Sequence, residues 1–379
     1  MSGGPLQGLK VVELAGIGPG PYAAMLLADL GADVLRVDRP AGGGSAVPAE
    51  HDVLRRGRRS VVLDLRRPEG VRAVLEAVAS ADVLLEGYRP GVAERMGLGP
   101  EHCWAVNPAL VFGRMTGWGQ TGPLASTAGH DLGYIALTGA LHAIGRRGQP
   151  PTPPLNLVGD FGGGSTFLII GVLAALWEAR SSGRGQVVDA AIVDGAASLT
   201  GLLHGMLAAG LWRDRPASNM LDSGMPWYDV YPARDGGHLA VGALEPAFFA
   251  EFVRILGIEA DEGDRRDPMR WPALRERIAK AFSTRDRDDW AAVFEGTDAC
   301  VAPVLGLTEA PDHPHLAARG TFVEIGGVRQ PAPAPRFSRS VPDLPAPPAA
   351  AGTHTRQALE DWGVTAVDEL IAGGVAHQA

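Results

Sequence analysis

The chain has 379 residues, 46% apolar and 20% charged, and a formal net charge of −9. That is a globular composition with enough length for a substantial core in two or three domains, not a disordered one. The acidic balance argues against nucleic acid as the main partner, because phosphate backbones require a basic surface.

The first third alternates between two periodicities. "GLKVVELA" (8–15) reads as a strand, "GIGPGPYAAMLLADLGA" (16–32) as a glycine turn entering a helix, and "DVLRVDRP" (33–40) as a second strand. The loop "AGGGSAVPAEHD" and the basic run "RRGRRS" precede a third strand, "VVLDL" (61–65). Helix "EGVRAVLEAVASA", strand "DVLLEG" and strand "LVFGRMTG" (110–117) follow, with a helical stretch between the last two. Strands alternating with helices of this length predict an α/β fold with a parallel sheet covered on both faces. Residues 116–165 are rich in Gly, Pro and polar residues, and so much loop in one place marks a site.

From about 225 to 320 the texture becomes aromatic and strand-like, then charged and helical, which predicts a smaller α+β domain. The large domain spans 1–200 and is completed by about 325–379; 200–225 and 320–350 read as linkers, the latter including the Pro/Ala-rich run at 331–352. Cys103 and Cys300 are too far apart in sequence to suggest a disulfide framework, and residues 1–10 carry no signal-peptide pattern. The apolar run "TFLIIGVLAALW" (166–177) is too short to span a bilayer and reads as a buried helix. The C-terminal "AHQA" is not an organelle address, so a reducing cytoplasm and no membrane association are expected.

Strand, "GIGPG", helix and a strand ending in Asp38 approach the dinucleotide fingerprint. Pro21 occupies the third glycine position and Arg39 follows the acid, so a glycine turn packing a helix on the sheet is the better reading. Arginines point instead to a polyphosphate ligand: Arg39, Arg55, Arg56, Arg58, Arg59, Arg66, Arg67, Arg89 and Arg95 all fall near strand ends, where an open parallel sheet binds ligands.

"TAGHDLGY" (127–134) places His130 and Asp131 side by side between glycines. A metal site lacks ligand-spaced partners, the other close cluster being His313 and His315, and no G-x-S-x-G elbow supports a hydrolase triad. Proton transfer remains. Asp160, in "NLVGDFGGGS", precedes the apolar helix and is either a plain N-cap or a carboxylate near amides able to hold an enolate oxygen.

The stretches "GLKVVELAGIGPGPYAAMLLADLGADVLRVDRP", "EGYRPGVAERMGLGP", "GRMTGWGQTGP", "AGHDLGYIALTG", "PPLNLVGDFGGGS", "GQVVDAAIVDG", "VGALEP" and "PAPRFSR" resemble the family III CoA-transferase (CaiB/BaiF) superfamily over about 340 residues. Within it they resemble the branch that racemises 2-methylacyl-CoA thioesters through an enolate. The resemblance implies a Rossmann-like large domain, a small domain and an interlocked homodimer, with CoA entering as part of the substrate and no separate cofactor or metal. It implies His130 and Asp160 as the two acid/bases and Glu245 as the glutamate that contacts the histidine. Arg39 and Arg95 fall on CoA phosphate contacts. The segments Leu63, Asp64, Leu65, Arg66 and Gly87, Tyr88, Arg89, Pro90, Gly91 fall beside the nucleotide. Gly129, Asp131, Leu132, Gly133 and Tyr134 lie along the pantetheine and thioester. Transferases of this family use an aspartate nucleophile at the position of Asp160 and typically lack the histidine, so His130 favours racemase over the alternative, transfer of CoA between carboxylic acids. A longer arginine-bearing loop at 41–59 and a tail beyond 360 depart from the family pattern.

Overall fold

Short strands of consecutive buried residues, most of them followed by a helix, set the architecture of this computed structural model, which describes residues 3–40 and 47–379. Residues 41–46 of the arginine-bearing loop lie outside the described residues. In chain order come β1 (Lys10–Leu14), α1 (Pro19–Asp29), β2 (Asp33–Asp38), β3 (Arg58–Leu63), α2 (Pro68–Val78), β4 (Val83–Glu86), α3 (Val92–Arg95), α4 (Pro100–Val106) and β5 (Val111–Thr116). After α5 (Asp131–Leu137) and α6 (Ala140–Ala143), a π-helical segment, Leu157–Ser165, runs directly into α7 (Thr166–Ser182). Then follow β6 (Val187–Ala191), α8 (Ile192–Leu199) and α9 (Gly201–Ala208).

The six strands pair in parallel in the order β3-β2-β1-β4-β5-β6. Successive residues of a strand point to opposite faces. Val12, Leu14, Leu35, Leu84 and Phe112 meet α2 and the C-terminal helix Thr355–Asp361 on one face. Val11, Val34, Val83 and Val111 meet α1 and α7 on the other. Both faces are thereby buried, as a parallel sheet requires.

Two local expectations differ. β3 begins at Arg58, inside the basic run, because Arg58 and Arg59 are neutralised in place, by Glu13 at 2.5 Å and Asp33 at 2.6 Å. The apolar helix is longer and less buried than its sequence suggests. With the π segment, Leu157–Ser182 spans 26 residues at a mean hydropathy of 1.6, long and apolar enough to cross a membrane by length and composition. In α7 only Leu168, Val172 and Ala175 are buried, in the core beside β5 and β6, while Ile170 and Trp177 are exposed.

The chain divides into two compact units. The first comprises Met1–Thr138, Leu155–Leu199 and Ala318–Ala379; the second comprises Gly139–Pro154 and Thr200–Ala317. In the second, β7 (Tyr228–Pro232), β8 (His238–Gly242) and, after α10 (Pro246–Leu256), β9 (Val301–Pro303) form an antiparallel sheet. Its core is aromatic, built on Trp227, Phe249, Phe252, Phe282, Trp290 and Phe294. The chain then re-enters the first unit through the hairpin β10 (Phe322–Ile325) and β11 (Val328–Pro331) and an extended proline-rich run. It closes on β12 (Ala376–His377), antiparallel to β3 at the sheet edge.

Candidate active site

The strand order reverses between β1 and β4, and a ligand crevice is expected outside the carboxyl ends of the strands at that point. A cavity of about 430 Å³ lies there. The ends of β1 (Glu13, Leu14), β4 (Leu85, Glu86) and β5 (Met115, Thr116) line it, together with the "GIGPG" turn, Gly87–Pro90, Gly129, His130, Tyr134 and Asp160. His130 and Asp160, 30 positions apart, therefore share one cavity.

His130 is the N-cap of α5 in extended conformation, its side chain making no capping bond and standing exposed. The glycine before it is needed for space: a Cβ on Gly129 would sit 2.5 Å from the Tyr134 ring, which is T-stacked on Trp118 at 4.7 Å. This aromatic pair supports the turn that presents the imidazole. Asp131 points elsewhere. Its carboxylate is buried and accepts the Asp160 N–H at 2.7 Å, so it is not a contact available to solvent.

Asp160 is not the plain N-cap its sequence allows. It lies inside the π-helical segment, a rare geometry that concentrates at functional sites. The "GIGPG" turn clamps that segment: Ser165 Oγ donates to the Pro19 carbonyl at 2.7 Å, and Tyr22 stacks on Phe161 at 4.3 Å. A Cβ on Gly18 would lie 3.3 Å from Asp160 Oδ2, so this turn faces the carboxylate. Burial, then the charge of Asp131, push the Asp160 carboxyl up to about 6, against a hydrogen bond from Asn156 and the charge of His130. The amide of Asp160 itself is committed to Asp131; the first amides of α5, at Asp131 and Leu132, are the ones without an intrahelical acceptor.

Two buried carboxyls of this cavity, Glu13 and Glu86, are not singled out by the sequence. Glu86 ends β4, accepts the Tyr88 N–H at 2.6 Å, and lies 3.8 Å from Arg114, which also pairs with Glu94. Burial raises its carboxyl to about 7, outweighing the Tyr88 hydrogen bond and Arg114. Its signal was an acid inside the apolar run "VLLEG".

A cavity of about 830 Å³ lies along the same sheet edge, lined by Arg39, Leu63, Asp64, Leu65, Arg66, Arg67, Tyr88, Arg95 and Met96. Tyr88 borders both cavities, and the Arg39 guanidinium lies 5.4 Å from its ring centroid. Arg66 is held by Asp64 at 2.9 Å with its side chain largely in solvent. Gly91 caps α3 beside Arg95, and Leu132 and Gly133 are exposed on α5. Trp118 lines the first cavity with Met115 and Thr116; "GRMTGWGQ" marked that stretch without singling them out.

The other arginines are corrected. Arg56 is buried against Asp29 at 2.6 Å and Arg58 against Glu13, so neither is free to hold a phosphate, while Arg55 pairs with Asp52 and lines a smaller cavity beside the "GIGPG" turn. Arg59 is the second residue of β3, at the end of the strand opposite the crevice. Asp38, the acid of the apparent dinucleotide fingerprint, is buried between Arg36 at 3.1 Å and Ser60 at 2.7 Å and cannot receive a ribose. Among the described residues no group of three or more His, Cys, Asp and Glu is arranged to hold a metal. Glu245 is the exposed N-cap of α10 in the second unit.

The profile of CoA-transferase family III matches residues 6–355. The chain belongs to this family. Its relatives in the family include α-methylacyl-CoA racemase of Mus musculus, 43% identical over 94% of this chain and 93% of that one. The human α-methylacyl-CoA racemase is 42% identical over the same shares. Among solved structures, a CaiB/BaiF family protein from Brucella suis superposes with a TM-score of 0.83 at 27% identity, covering 95% of this chain and all of that one. The family assignment agrees with the α/β class and its large, mostly parallel sheet.

Proposed function

We propose that this chain is an isomerase that interconverts (R)- and (S)-2-methylacyl-CoA thioesters by removing and returning the α-proton. The observation that carries the reading is an imidazole, His130, in the same cavity as the carboxyl of Asp160. A transferase of this family needs the carboxylate alone, whereas inversion at carbon needs a base on each side. The 43% identity to a racemase over nearly the whole chain supports the same choice.

In this mechanism the CoA phosphates lie on Arg39, Arg66 and Arg95, and the pantetheine passes Tyr88 into the catalytic cavity. His130 or Asp160 takes the α-proton, according to the enantiomer bound, and the other returns a proton to the opposite face. The thioester α-proton is far less acidic than either base, so the enolate oxygen requires preorganised donors. The free first-turn amides of α5 beside His130 suit that role; the Asp160 amide does not. Glu245 would orient the imidazole. The enzyme works as a homodimer in the cytoplasm, a setting supported by two free cysteines. No further cofactor enters any step.

Incubation with (S)-2-methylacyl-CoA in D₂O tests the reading. Deuterium at the α-carbon with loss of optical purity is expected. Movement of CoA to an added carboxylic acid without label would establish the transferase instead. His130→Ala should cut exchange from one enantiomer by roughly 10²–10⁴-fold while the other still exchanges through Asp160. Equal, small losses from both would remove His130 from the chemistry.

A further inference from the structure

We propose that Asp131 is a positioning residue for Asp160: its buried carboxylate holds the turn that carries Asp160 and sets a second negative charge against it, so that Asp160 can both give and take a proton. This rests on the racemase reading above. The two residues are 29 positions apart, yet Asp131 Oδ1 accepts the Asp160 N–H at 2.7 Å. The fit is built into the backbone, since a Cβ on Gly159 would lie 2.3 Å from that same Oδ1. Any side chain there would displace the carboxylate. Asp131 Oδ2 is buried with no hydrogen-bond partner, an arrangement that costs stability and leaves the charge poorly dispersed. An acid in the first turn of a helix ordinarily complements the helix dipole. Here the side chain instead crosses to the π-helical segment.

The consequence is electrostatic. Two nearby carboxyls in partly dry surroundings cannot both ionise cheaply, so the buried Asp131 raises its neighbour's affinity for a proton. An isolated aspartate would be ionised throughout the neutral range and could accept a proton but rarely supply one. A two-base racemase needs its acid and base close in proton affinity, because each must play both parts. Burial first, and then the charge of Asp131, raise Asp160 toward the range in which imidazoles titrate. The other titratable groups lining the cavity are Glu13 at the end of β1, Glu86, Tyr88 and Arg89 around the end of β4, His130 at the N-cap of α5 and Tyr134 within it. From β5, α7 and α8 the cavity receives Met115, Leu168 and Ile192, none of them titratable.

The test is Asp131→Asn, which keeps an oxygen acceptor for the Asp160 amide and removes the charge. With carboxyl-¹³C-labelled aspartate, the Asp160 titration midpoint should fall by about a unit or more. The acid limb of kcat/KM for racemisation should move to lower pH by the same amount. An unmoved midpoint, or a uniform loss of rate with the limb in place, would overturn the proposal and leave Asp131 as a packing residue. Should Asp131→Asn fail to fold, Asp131→Ser, which keeps an oxygen acceptor without the charge, serves in its place, and an unmoved Asp160 midpoint again overturns the proposal. The titration needs no substrate. If the unmodified enzyme washes no deuterium into 2-methylacyl-CoA, the racemase reading fails, while the midpoint still decides the coupling of the two aspartates.

Discussion

Glu86 is the residue at which function and stability oppose one another most directly. Its carboxyl is buried, faces the catalytic cavity, and holds its proton up to about 7, first through burial and against Tyr88 and Arg114. The folded chain thus binds this proton more tightly than the unfolded chain does. The stability it contributes is complete below the ordinary glutamate range and is lost as pH rises through about 7. Glutamine keeps the acceptor for the Tyr88 N–H but cannot ionise, and Arg114 retains Glu94 and Gln120 as partners. Glu86→Gln should therefore match the parent near pH 4 and exceed it at pH 8 by up to about 3 kcal/mol. Urea unfolding at the two pH values measures this, and a gain that is equal at both, or absent at pH 8, would contradict it. A buried acid that weakens the fold at working pH is what a functional site, and not a packing choice, would retain.

Among the elements, β1, β2 and β3 share a buried row of charge that the sequence disguised. Glu13 lies beside Arg36 in register, and its carboxylate meets Arg36 at 2.6 Å and Arg58 at 2.5 Å; Arg36 also reaches Asp38. Burial would raise the Glu13 carboxyl, but Arg36 and Arg58 together hold it below the usual range. Glu13→Ala would leave Arg58 buried without its anion and Arg36 with Asp38 alone, at a cost of about 3–5 kcal/mol, read as a fall in the urea midpoint. Arg66→Ala, by contrast, removes an exposed cation and should leave that midpoint in place while weakening CoA binding. The contrast explains what was legible. Short apolar runs and helical spacing located β1, α1, β2, β4 and β5, because apolar burial leaves a local trace. "GHDLGY" and "GDFGGG" singled out His130 and Asp160, their roles coming from the family resemblance, and the glycines of these stretches make room for Tyr134 and Asp131. Which arginine is buried depends on acids far away in sequence: Asp29 for Arg56, and Glu13 for Arg58, 45 positions off. No local pattern in "RRGRRS" distinguishes a phosphate ligand from an internal counter-ion. The same distance hid Glu86, whose proton affinity follows from the depth of the sheet and not from its neighbours in the chain.

At the scale of the whole molecule, apolar surface remains to be covered. α9, "GLLHGMLA", is apolar around most of its circumference, yet none of its eight residues is buried within the chain. Leu202 is 64% exposed, Leu207 46% and, just beyond the helix, Leu211 70%. A helix of this kind in a soluble monomer would place a contiguous apolar patch in water, which folded chains rarely tolerate. Within the first unit, Ile170 and Trp177 of α7 are exposed in the same way. A second copy of the chain is the cover that the family resemblance implies, and an obligate pair would bury such faces as a domain core does. Sedimentation equilibrium should then report twice the 39.6 kDa chain mass at every workable concentration. Leu202→Glu combined with Leu207→Glu should yield single chains or aggregate with lost racemisation, although neither residue lines the catalytic cavity. If the unmodified protein sediments at 39.6 kDa, or the double variant stays paired and active, α9 is not the joining surface. An interlocked pair would carry a further signature: because two threaded chains cannot part without partial unfolding, exchange of labelled subunits should be as slow as global unfolding and should accelerate with urea along the unfolding limb.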